Sequence, residues 1–298
     1  MVYITAQIVS RSLGPREGPV MDVILLGTGS PIPNPQRAGP ATLVRAGGTN
    51  LLVDCGRGVV MRLAGAGVPP PAISAVLLTH MHSDHITDLN DIITTHWVMN
   101  FAPTPLKVFG PKGAKALVEA TLAMLAFDVQ YRIDHHADLN DGPVVETTEL
   151  SPGDAFTVGD FAITAHRTDH APVHPTLGYR IEHGGVVAAL AGDTVPCPEL
   201  DAMCRGADVY VQTVIRDDLV RRVPAQRLQD ILDYHSTVEQ AAQTAQRAGV
   251  KTLMLTHYVP HMAPGQEEAW RAIARPHFSG EIVLGDDLTS VSVAARAS

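Results

Sequence analysis

The sequence predicts an α/β (α+β) fold in which two β-sheets pack face to face and helices cover their outer sides. Short apolar runs, typical of buried strands, alternate with helical patterns along the 298 residues. Each half of the chain contains mostly strands followed by helices, which favours two sheets over one. No repeat or linker separates the halves. We therefore expect a loosely held N-terminal extension over residues 1–20 and one domain over residues 21–298.

The elements of the first half follow from apolar runs and turn residues. Gly47-Gly48 supplies the positive φ of a tight hairpin turn. The predicted strands are 23–27, the hairpin 42–56, 73–80 and 106–110. The predicted helices are 57–67, 84–100 and 111–127, the last with a proline at its start.

The second half predicts two antiparallel hairpins, over 155–166 and 178–193, because each contains alternating residues around a glycine turn. Strands and helices then alternate from Cys197 to Ser298. Residues 128–150 are polar and irregular, and the pattern assigns them no element.

Composition bounds the class of function. The formal net charge is −9 and 18% of the residues are charged, which argues against sequence-independent binding of nucleic acid. Three cysteines without regular spacing fit a reducing compartment. No apolar run is long enough to span a bilayer, and the first residues lack the pattern of a signal peptide. We expect a cytoplasmic location.

Four metal-ligand side chains fall within six residues. His80, His82, Asp84 and His85 form H-x-H-x-D-H directly after a buried strand. Imidazole and carboxylate groups bind zinc, and a catalytic zinc keeps one open position. Four ligands are too many for one such ion, so the pattern favours two metals roughly 3.5–4 Å apart. A chance histidine cluster on a surface turn is the alternative.

Further ligands are expected where other apolar strands end. Asp193 ends VVAALAGD, His257 ends TLMLTH, His170 follows FAITAHRT and Asp54 ends NLLVD. Each alone is more typical of a helix cap or turn. Their shared context with His80 makes them candidates, and Asp193 is the best candidate for a carboxylate that bridges two cations.

Several motifs in this order resemble one known family. The motifs are LLGTGS (25–30), LLVDCG (51–56), LTHMHSDH (78–85), GYRIE (178–182), AGDT (191–194), HSTVEQAA (235–242) and LTHY (255–258). They resemble the metallo-β-lactamase superfamily, and more narrowly its ribonuclease Z and arylsulfatase-like branch. The resemblance covers residues 22 to about 290. It implies a four-layer αββα sandwich of two mixed sheets and two zinc ions per chain.

The resemblance also assigns the ligands. It implies that one zinc is held by His80, His82 and His170. It implies that the other is held by Asp84, His85 and His257, with Asp193 bridging and Asp54 orienting a ligand. His174, before Pro175, is a rival to His170, and His166 is interpreted as an ordinary strand residue. Manganese or iron would suit the same ligands.

We expect Asp84, Asp193 and His235 to be the catalytic residues of a metal-dependent hydrolase. Ser236 to Glu239 form a capping-box pattern, which places His235 just outside a helix N-terminus. That end of a helix disfavours imidazolium, so proton donation would need a nearby carboxylate or the charge of the substrate. In the resembled branch this histidine assists at the scissile phosphate, so we predict a general acid or transition-state stabiliser. A surface histidine beside a cap is the alternative.

The substrate is the least determined feature. Only Ile181 to Ala191 separate two motifs between which the tRNA-processing members carry a long arm. The loop PIPNPQRAGPATLV (31–44) resembles that of the arylsulfatase-like proteins. We therefore expect a zinc-dependent hydrolase of a small phosphodiester or aryl sulfate ester, and expect neither a nucleic acid nor a membrane as partner. The resembled proteins are often homodimers. The alternatives are a tRNA 3′-processing endonuclease and a non-catalytic metal-binding scaffold.

Overall fold

The computed structural model describes residues 20–102 and 104–294. The elements of its first half are β1 (Val20–Gly27), β2 (Ala41–Ala46), β3 (Thr49–Val53), α1 (Val59–Gly65), β4 (Ala75–Leu77), α2 (Ser83–Ile86), α3 (Leu89–Val98), β5 (Leu106–Pro111), α4 (Ala114–His135) and β6 (Val145–Leu150). Those of its second half are β7 (Ala155–Val158), β8 (Phe161–Arg167), β9 (Leu177–His183), β10 (Val186–Leu190), α5 (Pro198–Cys204), β11 (Val209–Ile215), α6 (Asp217–Val220), α7 (Gln226–Asp230), α8 (Val238–Ala248), β12 (Thr252–Val259), α9 (Glu267–Ala274), β13 (Glu281–Val283) and β14 (Ser290–Ala294).

The described strands form two mixed sheets of seven strands each, in the orders β14-β1-β2-β3-β4-β5-β6 and β13-β12-β11-β10-β9-β8-β7. Strands β3 to β6 run parallel, as do β10 to β13. The predicted hairpins are present as β7–β8 and β9–β10. The last strand, β14, returns to pair with β1, so the end of the described chain completes the first sheet.

Alternate residues of the central strands are buried on opposite faces. Val23 and Leu25 of β1 lie in the core between the sheets, whereas Ile24 and Leu26 pack beneath helices. This follows from the two-residue period of a strand, and it explains why the central strands read as continuous apolar runs. Helices α1, α3 and α4 cover the first sheet, and α5, α8 and α9 cover the second. The predicted four-layer αββα sandwich is confirmed.

The structure differs from the predicted elements at two helices. Helix α4 continues to His135, through residues for which the pattern predicted no element. Its second half is supported by an exposed Arg132–Asp128 ion pair of 2.7 Å, an i,i+4 contact rather than an apolar stripe. The helix predicted over 84–100 is divided into α2 and α3.

Two predictions concern the limits of the chain. The extension over residues 1–20 lies outside the described residues except for Val20, which begins β1. Within the described ranges, no helix is both long and apolar enough to cross a membrane. The cytoplasmic location stays a prediction.

A close approach of two backbones at Gly27 tests the packing above the first sheet. A Cβ added to Gly27 would lie 1.7 Å from the Gly39 carbonyl oxygen, which is backbone and cannot rotate away. We expect Gly27→Ala to lower the free energy of unfolding by about 3 kcal/mol, measured by urea denaturation at fixed metal concentration.

The control is Gly153→Ala, where φ is +96° and no atom lies within 4 Å of the added Cβ. Only backbone strain opposes that substitution, so its cost should be about 1 kcal/mol. A smaller loss for Gly27→Ala than for Gly153→Ala would contradict the close approach.

Candidate metal centre

The metal-ligand side chains predicted from the sequence meet at one rim of the sandwich, where strands of both sheets end. Asp54 follows β3 and His80 follows β4, with the rest of H-x-H-x-D-H in the turn and in α2. The second sheet contributes His170 after β8, Asp193 after β10 and His257 near the end of β12. Because strands β8, β10, β11 and β12 run in the same direction, their carboxyl ends share this rim.

A first group consists of His80, His82, His170 and Asp193, whose ligand atoms all lie within 4.8 Å of one another. His82 Nδ1 is 3.1 Å from His80 Nε2 and 3.2 Å from His170 Nε2. The Asp193 Oδ2 atom is 3.8 Å from both of those Nε2 atoms. Three nitrogens and one carboxylate oxygen thus surround a common point.

A second group consists of Asp84, His85 and His257. His257 Nε2 is 3.2 Å from Asp84 Oδ2, and His85 Nε2 is 3.7 Å from the same oxygen. Asp193 Oδ2 lies 3.4 Å from His85 Nε2 and 3.6 Å from His257 Nε2. The same oxygen of Asp193 therefore faces both groups, which is the position a bridging carboxylate requires.

The choice between neighbouring histidines follows from position. His170 lies in the first group and is fully buried. His174 is exposed and His166 is half-buried, and neither joins a group of metal-ligand atoms among the described residues. The geometry therefore favours His170 over His174.

Unpaired polar atoms show that the donor set fits a cation. His85 Nε2 and Asp193 Oδ1 are buried and have no hydrogen-bond partner among the described residues. Leaving such atoms unpaired costs about 1–3 kcal/mol each, and more for a charged group. Several nitrogen and carboxylate oxygen atoms around one point are a donor set for a divalent metal such as zinc.

The protonation states agree with this interpretation. Burial lowers the pKa of His80 well below its ordinary value and that of His170 to about 4, so both rings are neutral, as metal binding by imidazole requires. Burial would also lower the pKa of His85, but Asp193 and Asp54 raise it well above its ordinary value. Burial opposes ionisation of Asp193, yet His257 and His85 hold its pKa well below the usual range. A bound cation would replace the proton that these carboxylates otherwise favour on His85.

Hydrogen bonds outside the two groups orient the rings. Asp54 accepts from the backbone N–H and the hydroxyl of Thr79, both at 2.8 Å, and from His85 Nδ1 at 2.8 Å. His170 Nδ1 donates to the Tyr234 carbonyl at 2.8 Å. With the proton fixed on Nδ1, the Nε2 lone pair of each ring points into the centre.

His235 is buried beside Asp193, with 3.2 Å between its Nε2 and Asp193 Oδ2. Its Nδ1 donates to the Ile231 carbonyl at 3.0 Å. The residues that cap the next helix were predicted one position too early. Helix α8 is capped by Thr237, whose capping box closes with Gln240 instead of Glu239. His235 still lies just before that helix, with the Asp193 carboxylate beside it.

Sequence reasoning missed Asp287, a buried carboxylate that anchors the rim. It accepts from Thr28 N at 2.9 Å, Thr28 Oγ1 at 2.8 Å, Ala38 N at 2.7 Å and Arg62 Nε at 2.7 Å. The Thr28 carbonyl in turn accepts the N–H of the residue after His257, at 3.3 Å. A Gly-Asp-Asp stretch (285–287) is the local signal that the sequence offers, and it is weak because the residues that Asp287 joins lie far away in the sequence.

Comparison with known proteins first defines the class. A family model described as a beta-lactamase superfamily domain matches residues 49–258, a span that contains every residue of the two groups. The αββα sandwich and its histidine–aspartate cluster at one rim place the chain among the metal-dependent hydrolases of that superfamily.

Relatives define the branch. Ribonuclease Z of Mycobacterium bovis is 55% identical over 279 residues, which cover 93% of this chain and 100% of that protein. Ribonuclease Z of Mycobacterium tuberculosis is 53% identical over the same shares. The chain belongs to the metallo-β-lactamase superfamily, in its ribonuclease Z branch.

Solved structures agree on the fold. The metallo-beta-lactamase fold protein YhfI from Bacillus subtilis has a TM-score of 0.71 at 23% identity, covering 93% of this chain and 100% of that one. The short form of human tRNase Z has a TM-score of 0.66 at 22% identity, covering 91% and 98%.

The expectation that nucleic acid is not a partner is wrong, because relatives that are 55% identical carry the name ribonuclease Z. That expectation rested on the net charge and on the absence of a long arm, and neither feature excludes RNA. Net charge describes the whole chain and not the rim around the centre. The missing arm does not separate the branch either, since the M. bovis protein aligns over its full length within 279 residues and so has no room for a long insertion.

We predict that Asp54→Asn weakens divalent-metal binding about 10–100-fold. With its oxygen toward Thr79 N, the amide would present N–H groups to His85 Nδ1. The His85 proton would then move to Nε2, the atom that must be free to bind metal. Competition with a chromophoric chelator measures the affinity.

The matched control is Asp22→Asn, a half-exposed carboxylate in β1 that pairs with Arg45. It should bind metal as the unchanged chain does. Unchanged affinity in Asp54→Asn, with the fold intact by circular dichroism, would contradict the orienting role.

Proposed function

We propose that the chain is a zinc-dependent endoribonuclease that cleaves a phosphodiester bond at the 3′ end of precursor tRNA. The observation that carries this proposal is the 55% identity, over the full length of the relative, to ribonuclease Z. The proposal replaces the small-ester hydrolase as the main interpretation, because the features that favoured a small ester do not distinguish the chain from these relatives.

The donor set supports two metal ions as cofactors. His80, His82 and His170 would hold one zinc, Asp84, His85 and His257 the other, and Asp193 Oδ2 faces both groups. Bound zinc ions would supply a nucleophilic water near neutral pH and polarise a phosphoryl oxygen.

The chain itself provides a proton donor. The Ile231 carbonyl fixes one proton on His235 Nδ1, so Nε2 is the nitrogen that can carry and release a second proton. That Nε2 lies 3.2 Å from Asp193 Oδ2, so it faces the centre at which the phosphodiester would bind. We infer that His235 Nε2 gives its proton to the leaving oxygen when the phosphodiester bond breaks.

We infer also that residues 21–298 act as a single domain. The first sheet supplies H-x-H-x-D-H, and the second supplies His170, Asp193 and His257. Neither of the two groups defined above is complete within one sheet, so the proposed catalytic unit requires both.

We expect purified, zinc-loaded protein to cleave precursor tRNA, to lose this activity after dialysis against EDTA, and to regain it on addition of Zn²⁺. The physical reason is that the donor atoms position substrate only through the cations. Gel analysis of the RNA products measures the result, and bis-p-nitrophenyl phosphate serves as the small-ester comparison. Cleavage of the small ester alone would restore the small-ester interpretation.

The role of His235 has its own test. We expect His235→Ala to lower kcat for precursor tRNA about 10²–10³-fold, because a poor leaving oxygen needs the proton. A p-nitrophenyl ester leaves without protonation, so its hydrolysis should fall much less. Metal content by mass spectrometry should match that of the unchanged chain. Equal losses on both substrates would mean that His235 does not act as the acid.

A further inference from the structure

A segment with three exposed arginines adjoins the centre. Residues 217–234, here called the arginine segment, leave the second sheet after β11, form α6 and α7, and end at His235. Within it, the stretch RRVPAQR (221–227) holds three arginines and no carboxylate, whereas the four aspartates of the segment lie before and after this stretch. All seven of these residues are exposed.

The backbone of the segment is anchored. Val220 is buried against Ile215 and Val259, and Leu228 and Ile231 pack on this small cluster. The Gln229 side-chain amide also donates to the carbonyl of Val220, at the end of α6, and to that of Val223, at 2.9 and 2.7 Å. The guanidinium groups therefore project from a fixed support and not from a loose loop.

Two of the guanidinium groups are available to a ligand. Arg216 is engaged by Asp218, and Arg221 has a long, exposed contact of 3.4 Å with Asp217. Among the described residues, Arg222 and Arg227 make no ion pair within 4.0 Å. The exposed Arg221 contact is worth little and can exchange for a phosphate.

The same segment holds two histidines of the centre. The Tyr234 carbonyl accepts from His170 Nδ1 at 2.8 Å, and the Ile231 carbonyl accepts from His235 Nδ1 at 3.0 Å. Arg227 precedes Ile231 by four residues, which in a helical segment is about one turn, or roughly 6 Å. A phosphate bound at Arg227 would thus lie close to the catalytic rim.

We propose that the arginine segment binds backbone phosphates of the RNA beside the scissile bond, through Arg222 and Arg227. Guanidinium groups match phosphate oxygens in paired hydrogen bonds. The proposal rests on the proposed function and names the surface that grips the substrate in a chain without a long arm.

The test compares Arg222→Ala/Arg227→Ala with a control that removes two positive charges elsewhere, Lys107→Ala/Arg205→Ala. Both control residues are exposed: Lys107 lies at the start of β5 and Arg205 directly follows α5, ahead of β11, at the rim opposite the centre. The probe is precursor tRNA, with KM from cleavage and Kd from fluorescence anisotropy at several salt concentrations. Hydrolysis of bis-p-nitrophenyl phosphate reports whether the metal centre is intact.

We expect the first variant to raise KM and Kd for the RNA about tenfold and to reduce the slope of log Kd against log salt by about 1 for each arginine. Its rate on the small ester should not change, and the control should behave as the unchanged chain. Equal RNA affinity and salt dependence in the two double variants would overturn the proposal.

The two proposals can fail separately. An unchanged chain that binds precursor tRNA through these arginines without cleaving it would overturn the proposed function and leave the binding surface. If the RNA is cleaved equally well without the two arginines, the binding surface is overturned and the proposed function stands. If the unchanged chain neither binds nor cleaves the RNA, both proposals are overturned.

Discussion

The rest of the structure depends on one electrostatic constraint, the convergence of imidazole nitrogens and carboxylate oxygens on the buried Asp193. One of its oxygens lies within 3.8 Å of five histidines, and the other has no hydrogen-bond partner among the described residues. Burying such groups without a compensating charge is costly. A chain that assembles such groups from both sheets suits bound cations, and much of its free energy of folding should be coupled to their binding.

That convergence needs a backbone that cannot relax. Asp54 and His257 have φ of 61° and 54°, a region that residues with side chains seldom adopt. Such conformations persist where surrounding contacts determine them. At His257, Asp287 fixes Thr28, and the buried Arg37 guanidinium donates to the Thr28 hydroxyl at 2.6 Å and to Asp286 at 2.7 Å. Hydrogen bonds within the protein therefore hold the loops at the rim in place without a bound substrate.

The sequence was sufficient for features that are local. A polar residue near the carboxyl end of a buried strand lies at the rim, so His80, Asp193 and His257 could be placed without knowing the register of the sheets. The residue that caps α8 could not be identified from the sequence, because Ser236 and Thr237 each begin a plausible capping box. The Ser236 hydroxyl donates a 2.7 Å hydrogen bond to the Thr194 carbonyl, so Thr237 is the residue that caps the helix. The role of Asp287 is harder still to predict from the sequence, because its partner Thr28 is 259 residues away.

Net charge was a poor guide to RNA binding because it sums all charges and does not say where they lie. At physiological ionic strength, charges beyond roughly 8–10 Å from a bound phosphate are largely screened, so carboxylates on the outer helices contribute little at the rim. The sum of −9 also counts Asp84 and Asp193 as free negative charges, although bound divalent ions would reverse the sign of their surroundings. For a phosphate at the centre, the relevant charges would be the cations that we propose these carboxylates hold and the guanidinium groups of the arginine segment. A chain can therefore be acidic as a whole and still attract a polyanion at the surface where its chemistry takes place.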